Sequence, residues 1–329
     1  MSSSGPAQRL SVAVVGVGEM GRNHARCLAA MKGVDLVAVV DSDAARCHEV
    51  AATFECRSVI SISDLPHVDA AIVAAPSASH AEVGCALMER GVHCLIEKPL
   101  ALDRTQARLL VDAADSANVV LQVGHIERFN PAVRQLKELL EGELVLVTNT
   151  RRMSAVSGRV TDIDVVMDLM VHDLDIMLFL MGDDIDSIEA RAVTGPSGPD
   201  HVTALLSFQD DRLASLTASR ITQNQIRQLE VTTKDRFFTV DYPNQELLIF
   251  RQGRIGVDGS DASEGRYALD VDTKRVFVRR TEPLVAELQH FLGVVRGTHD
   301  NEVDGRGALR ALDLVWAIQG RLQGSADGS

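Results

Sequence analysis

Glu97-Lys98-Pro99 stands directly behind the apolar run Val92-His93-Cys94-Leu95-Ile96. Such a run reads as a strand buried on both faces, and it carries a carboxylate and a lysine to its C-terminal end before proline stops it. Ligands of open parallel sheets bind beyond the C-terminal ends of the strands. Lys98 is therefore placed for chemistry: a cation there can hold a substrate oxygen and stabilise an alkoxide as charge develops. The plain alternative is a solvated loop lysine balanced by Glu97. Pro99 admits a cis bond before it, although most X-Pro bonds are trans. A second constellation is Asp168 and His172, four apart in Val165-Val166-Met167-Asp168-Leu169-Met170-Val171-His172. On a helix they share one face, surrounded by apolar neighbours, where a polar pair is better explained by a site than by a surface ion pair. His172 titrates near neutrality and can take a hydroxyl proton, while Asp168 can orient it or a substrate. Asp173 and Asp175 read as structural or solvated.

Gly16-Val17-Gly18-Glu19-Met20-Gly21 matches G-x-G-x-x-G between an apolar run and an amphipathic segment. In that context the glycines allow a tight turn and close approach of backbone to a pyrophosphate resting on the helix N-terminus. Glu19 and Met20 then lie at that N-terminus, beside the ligand. Asp41 ends the next strand, where an acid binds the ribose 2′-hydroxyl. A carboxylate there would repel a 2′-phosphate, so NAD is favoured; Arg46, on the following helix, reads as a solvated charge and leaves NADP open. Ala75-Pro76-Ser77 follows a third strand and forms another loop at the same sheet edge, near ribose or nicotinamide. His80 is either part of that loop's site or a surface residue in a helix's first turn.

These residues need elements to position them. Through residue 124 apolar runs alternate with amphipathic segments: strands at Leu10–Val15, Val34–Val40, 70–74, 92–96 and 119–123, with helices at 21–30, 43–53, 80–90 and 105–117 between them. That βαβα alternation predicts a parallel sheet with helices on both faces. After Gly124 the pattern changes. Asn130-Pro131 opens a helix to about residue 140, a strand follows at 144–151, and a helical stretch covers 164–181. Shorter strands at 187–193, 202–208, 212–219, 228–233, 237–240 and 246–250, separated by turn residues, suit an antiparallel sheet. Residues 252–265 read as a mobile loop, and helices at 284–295 and 307–322 close the chain. The expected organisation is α/β: a doubly wound dinucleotide-binding domain over 1–124 and an α+β substrate and oligomerisation domain over 125–329.

The chain has 329 residues, 46% hydrophobic and 24% charged, with a net charge of −13. Two globular domains are the default at this length. The acidic balance argues against nucleic acid or an anionic membrane as partner, but not against a small phosphorylated ligand held by a few arginines. Residues 1–9 lack the apolar stretch of a signal peptide, and no apolar run is long enough for a bilayer, so a cytoplasmic protein is expected. The five cysteines are never spaced C-x-x-C and read as buried reduced thiols; no metal is called for.

With Lys98, Asp168 and His172 beside a dinucleotide motif, the chain resembles the glucose-fructose oxidoreductase / inositol dehydrogenase / rhizopine catabolism family, Gfo/Idh/MocA. The resemblance runs through GVGEMGRNHAR, AAPSASH, EKPLA, GHIERFNP, VVMDLMVHDLDI and EPLVAELQHFLGVVRG. It implies NAD(P)-linked alcohol oxidation with Lys98, Asp168 and His172 at the catalytic positions. It also implies a Rossmann-type domain, a C-terminal domain with an open-faced, mainly antiparallel sheet, and homodimers or homotetramers built through that sheet. Glu97 and Lys98 would border the cofactor, Glu97 either steadying the lysine or touching the cofactor. Within the family, GHIERFNPAV and GRVTDIDVVMDLMVHDLDI look most like enzymes that oxidise the 3-hydroxyl of UDP-N-acetylglucosamine to a ketone. Arg128, Arg151, Arg152 and Arg159 could supply the bidentate donors a pyrophosphate needs. Arg128, after the last strand of the first domain, is the best placed for cofactor or substrate, with Arg152 next for substrate. The alternatives are a free-sugar or inositol dehydrogenase of the same family and, in another class, an NAD(H)-binding regulator without catalysis.

Overall fold

The computed structural model describes residues 9–155, 163–195, 198–252 and 271–326. Contacts divide the chain into two compact units, Met1–Phe129 with Glu282–Asp313, and Asn130–Thr281 with Leu314–Ser329.

In the first unit, β1 (Leu10–Val15), β2 (Val34–Val40), β3 (Arg57–Val59), β4 (Ala70–Val73), β5 (His93–Glu97) and β6 (Leu121–Gly124) form one sheet in the order β3-β2-β1-β4-β5-β6. Every pairing is parallel. Helices α1 (Glu19–Ala29), α2 (Ala44–Thr53), α3 (His80–Met88) and α4 (Arg104–Ala117) make the crossovers. The strand order reverses between β1 and β4, and a ligand crevice opens at such a switch point. The near-continuous apolar character of β1, β4 and β5 follows from cover on both faces: Val12, Val14, Ala70, Ile72, Cys94, Leu95 and Ile96 are essentially inaccessible. Strand β3 is only three residues long and has no alternating pattern that would have marked it. Asp43 caps α2 by accepting the Arg46 N–H, and Asp103 caps α4 by accepting the Gln106 N–H.

The remaining elements follow in chain order: α5 (Pro131–Leu139), β7 (Val145–Met153), a π-helical turn Val166–Met170 leading into α6 (Val171–Met181), β8 (Ile185–Gly195), β9 (Gly198–Phe208), β10 (Leu213–Ser219), β11 (Ile226–Thr233), β12 (Phe237–Asp241), β13 (Glu246–Gln252), β14 (Val271–Arg275), α7 (Pro283–Val295) and α8 (Gly305–Ala326). The second unit is built on an eight-stranded sheet, β14-β13-β12-β11-β7-β10-β9-β8. All its pairings are antiparallel except β7 with β10. One face is buried through Thr150, Arg152, Ala204, Leu206, Leu216, Leu229, Val231 and Phe238; the alternate positions, such as Arg151 and Leu205, are exposed. That period of two fixes the register, since a one-residue slip would turn the buried set outward. Asn130 accepts the Ala132 N–H and Pro131 occupies the first helical position of α5, as its Asn-Pro dipeptide predicts. Strand β14 was not anticipated, and most of the expected 252–265 loop lies outside the described residues.

The boundary at 124/125 expected from the chain's linear pattern differs from the contact division, which returns 282–313 to the first unit. The cause is the apolar stripe of α7. Leu284, Leu288, Phe291 and Leu292 recur at helical spacing and join the core formed by Val12, Ala25, Leu28, Val39 and Ile72. Burial at roughly 1.5–3 kcal/mol per side chain gives that docking a strong drive.

Candidate functional site

The glycine turn meets each steric demand of a dinucleotide site in a different way. Gly16 has φ of +84°, and a Cβ there would stand 2.4 Å from the Ala75 backbone nitrogen. At Gly21 a Cβ would fall 1.8 Å from the Gly16 carbonyl oxygen, so only glycine lets α1 close on the strand. Gly18 is the opposite case, because a Cβ would meet nothing within 4 Å. Its bareness serves a partner outside the fold. No side chain caps α1, and Glu19 and Met20 open the helix at its solvent side. This is the arrangement that receives a pyrophosphate. A cleft of about 650 Å³ runs over the turn, lined by Gly16, Gly18, Asp41, Ala75 and Pro76.

Sequence reasoning missed other walls of this cleft: Ser42, Arg46, Ile60–Ile62, Ser79, Glu82 and Val83. Asp41 is 8% exposed and has partners at both oxygens. It accepts the Val17 N–H at 2.8 Å and the Asp43 N–H at 2.9 Å, while Arg46 donates through Nη2 at 2.7 Å and Nε at 3.1 Å. Burial alone would raise the Asp41 pKa, but the Arg46 fork and the two amides outweigh it and hold the carboxyl below its usual range. Arg46 was expected to be a solvated charge; here it is a bidentate partner of the ribose-binding candidate.

His80 is neither the surface residue of one expectation nor the cleft-lining residue of the other. It is 1% exposed and lies between two carbonyl oxygens, Nδ1 to Pro99 and Nε2 to Ala75, each at 2.9 Å. It ties the Ala75-Pro76 loop to the loop after β5, and Ala75 and Pro76 line the cleft in its place. Burial lowers its pKa against the pull of those carbonyls. Ser77 begins a short 3₁₀ turn, Ser77–Ser79, of which Ser79 reaches the cleft.

Lys98 follows the last residue of β5 and is partly exposed, and the Lys98-Pro99 peptide is cis. Glu97 turns inward: Oε1 lies 2.7 Å from His24 Nε2, and Oε2 accepts the Lys98 N–H at 3.3 Å. Of the two roles open to Glu97, the observed contact steadies the lysine's peptide. A Cβ on Gly124 would sit 2.9 Å from Glu97 Oε2, so β6 ends on glycine where this carboxylate needs room. Arg128 is 9% exposed in the turn Ile126–Phe129, with Nη1 donating to the Glu302 carbonyl at 3.0 Å.

In the second unit the helical stretch expected over 164–181 is not uniform. Asp164 accepts the N–H groups of Val166 and Met167, the chain widens into the π turn, and α6 continues from Val171. Such bulges concentrate at functional sites. Between Val165 and Met177 every residue is buried except Asp168, Leu169 and His172. Asp168, Leu169 and His172 are thus the partly exposed residues of a largely buried stretch. Arg152 does not join them as a free donor. It is 3% exposed, forms a fork to Asp173 with Nε and Nη2 each at 3.0 Å, and lies over the Tyr242 ring. Its neighbour Arg151 points to the other face, toward Gln228 and Glu230. Arg159 lies outside the described residues.

The parallel sheet, the bare glycine turn and the carboxylate at the end of β2 define the first unit as an NAD-binding Rossmann domain. Residues 10–125 match the family description "Oxidoreductase family, NAD-binding Rossmann fold", and residues 134–236 match "GFO/IDH/MocA C-terminal domain". The chain belongs to the Gfo/Idh/MocA oxidoreductase family. It is 34% identical over 310 residues to a UDP-N-acetylglucosamine 3-dehydrogenase of Acidithiobacillus ferrooxidans, spanning 93% of this chain and 95% of that protein. The solved structure of that enzyme superposes with a TM-score of 0.86 at 31% identity, covering 96% of this chain and 98% of that one. An inositol 2-dehydrogenase of Rhodococcus jostii is 28% identical over 326 residues, covering 91% of this chain and 86% of that protein. The fold is shared by the WlbA dehydrogenase of Bordetella pertussis, solved with NADH and UDP-GlcNAcA, at a TM-score of 0.79 and 20% identity over 98% of this chain and 97% of that one.

Proposed function

We propose that this protein is an NAD-dependent dehydrogenase that oxidises a secondary hydroxyl of a sugar, the 3-hydroxyl of UDP-N-acetylglucosamine or of a related nucleotide sugar, to a ketone. The observation that carries the reading is the 34% identity to a UDP-N-acetylglucosamine 3-dehydrogenase along nearly the whole of both chains. NAD, when bound, supplies a nicotinamide ring that accepts hydride. Gly18 would leave room for its pyrophosphate on the turn that Gly16 and Gly21 allow to close, and Asp41 would take the ribose hydroxyls. Lys98 holds the substrate oxygen and offsets its developing negative charge. His172 takes the hydroxyl proton, and Asp168 orients His172 or the sugar. Arg128 contributes to holding the phosphates of cofactor or substrate.

A free sugar or inositol is the second reading. Inositol dehydrogenases stand among the relatives, and the burial of Arg152 against Asp173 removes one cation from the set a nucleotide substrate would use. We place the protein in the cytoplasm, as a homodimer or homotetramer assembled through the second unit's sheet. Among the described residues no helix is long and apolar enough to cross a membrane, and that sheet exposes Val193, Leu205 and Leu213. The deciding experiment is a thermal-shift screen with NAD present, followed by NADH formation from each stabilising ligand. A true ligand raises the melting temperature by mass action. UDP-N-acetylglucosamine should shift the melt and be turned over; a shift by inositols and none by UDP-sugars would overturn the preferred substrate.

A further inference from the structure

Behind Lys98 lies a buried cluster to which the reaction above assigns no part. His24 of α1, Glu97 of β5 and Glu287 of α7 bring ligand-capable atoms within 4.8 Å of one another. His24 and Glu287 are both fully inaccessible. Neither Glu287 carboxyl oxygen has a hydrogen-bond partner, and His24 Nδ1 has none either. Two carboxyl groups thus share a buried site with one imidazole. An unpaired buried carboxylate is strongly disfavoured, so its charge must be removed or matched.

A cation, an imidazolium or a proton could do this. His24 lies 2.7 Å from Glu97 Oε1. That is a hydrogen-bond contact: two ligands of one tetrahedral ion with bonds of 2.0–2.2 Å stand roughly 3.3–3.6 Å apart. The contact therefore holds a proton between nitrogen and oxygen. If His24 is cationic it balances Glu97 alone and leaves Glu287 unmatched. Of the other charged and titratable groups on the packed elements, Lys98 acts on Glu97, His125 is buried directly after β6, and the following have partners elsewhere. Arg26 and Cys27 of α1 bind Glu282 at the start of α7. On the turn after β6, Arg128 donates to Glu302 beside Glu127, and His290 of α7 meets Gln122 of β6. Burial, with the nearby Glu97 charge, raises the Glu287 pKa well above its usual value. Glu97 is held below its own value, because His24 and Lys98 outweigh its desolvation.

We infer that Glu287 is a positioning residue that stays protonated in the folded protein, so that it and Glu97 together carry one negative charge and Glu97 remains committed to His24 and to the peptide of Lys98. An ionised Glu287 would repel Glu97 and loosen the segment that presents Lys98. The inference rests on the proposed role of Lys98, but the protonation state can be tested without it.

The test compares the full-length wild type with Glu287→Gln, which keeps the shape and a neutral donor, and with Glu287→Ala. The sign follows from linkage. Above about pH 4.3 the unfolded chain loses the Glu287 proton while the folded protein keeps it, so wild-type folding weakens tenfold per pH unit, an effect Glu287→Gln lacks. The melting temperature of Glu287→Gln should exceed that of the wild type by a gap that widens roughly 3–5 °C per pH unit from pH 5 toward 8. In turnover, Glu287→Ala should lose at least tenfold in kcat, since a 1 Å misplacement can cost about 100-fold, with NAD affinity unchanged; Glu287→Gln should restore kcat. A flat or inverted melting gap, or one equivalent of tightly bound divalent metal in the purified wild type, would overturn the inference. If Glu287→Ala does not fold, the Glu287→Gln series decides alone. A failure of the Lys98 reading would show as a normal melting gap with no change in turnover for any substitution at position 98.

Discussion

Gly18→Ala separates a residue kept for a ligand from one kept for the fold. At Gly18 the backbone has ordinary negative φ (−64°), and an added methyl would meet no atom within 4 Å. Stability should therefore change by no more than about 1 kcal/mol, a reduced chain entropy offsetting a poorer helix cap. Gly21→Ala is the control: its methyl would sit 1.8 Å from the Gly16 oxygen, forcing α1 off the strand. Overpacking of that kind costs about 1–3 kcal/mol or more. NAD binding should fall in both variants for different reasons. In Gly18→Ala the methyl occupies the path of the pyrophosphate; losing one charge-assisted hydrogen bond, at about 1.5–3 kcal/mol, weakens NAD roughly 10- to 150-fold. Isothermal titration calorimetry with NAD, paired with the melting curve of the free protein, reads both quantities. Normal NAD affinity in Gly18→Ala, or a melting point as low as that of Gly21→Ala, would refute the assignment of the turn.

Replacing Lys98 by Ala should lower turnover roughly 100- to 1000-fold while calorimetry shows NAD still bound; near-normal turnover would remove Lys98 from the chemistry. Arg152→Leu should destabilise the second unit by about 3–5 kcal/mol in denaturant unfolding, because it strands Asp173 in the interior, and the double change Arg152→Leu with Asp173→Leu should recover most of that loss. If Arg152 instead touched substrate, KM would rise with stability intact. Asp41→Ala should weaken NAD roughly 10- to 100-fold by removing the charged acceptor and leave NADP less affected, since Arg46 is released from its fork. The same pair has a pH signature. The Asp41 pKa is lowered in the folded state, so its stabilisation is complete above about pH 4 and disappears as pH falls further. Melting curves of wild type and Asp41→Ala should converge on acidification, and a constant gap would show that the carboxylate is not preferentially ionised.

Much of the site was legible in residue types and spacing. The glycine pattern, Asp41 at the end of β2 and the Glu97-Lys98-Pro99 stop are local events at strand ends, and strand ends follow from apolar runs. The largely buried stretch around Asp168 and His172 was likewise readable, since apolar residues flank both on either side. The π turn beneath them was not, because propensity does not distinguish it from an α-helix. Arginines were read least well. Arg46 and Arg152 looked like free or ligand-facing charges, yet each is spent on a carboxylate. For Arg46 that partner, Asp41, is only five residues away; for Arg152 it is Asp173, on another element.

Sequence alone determined the alternation of most elements, the switch to β-rich pattern after Gly124 and the residues at the ends of β1, β2, β4 and β5, because these depend on local periodicity and on glycine or proline at fixed offsets. Tertiary structure decided what long-range packing must decide. It returned α7 to the first unit through Leu284, Leu288, Phe291 and Leu292, buried His80 between two carbonyls, and set Glu287 near Glu97, 190 positions away along the chain. A side chain's charge and partners depend on which surfaces meet in space, and a one-dimensional pattern records only which surfaces are available.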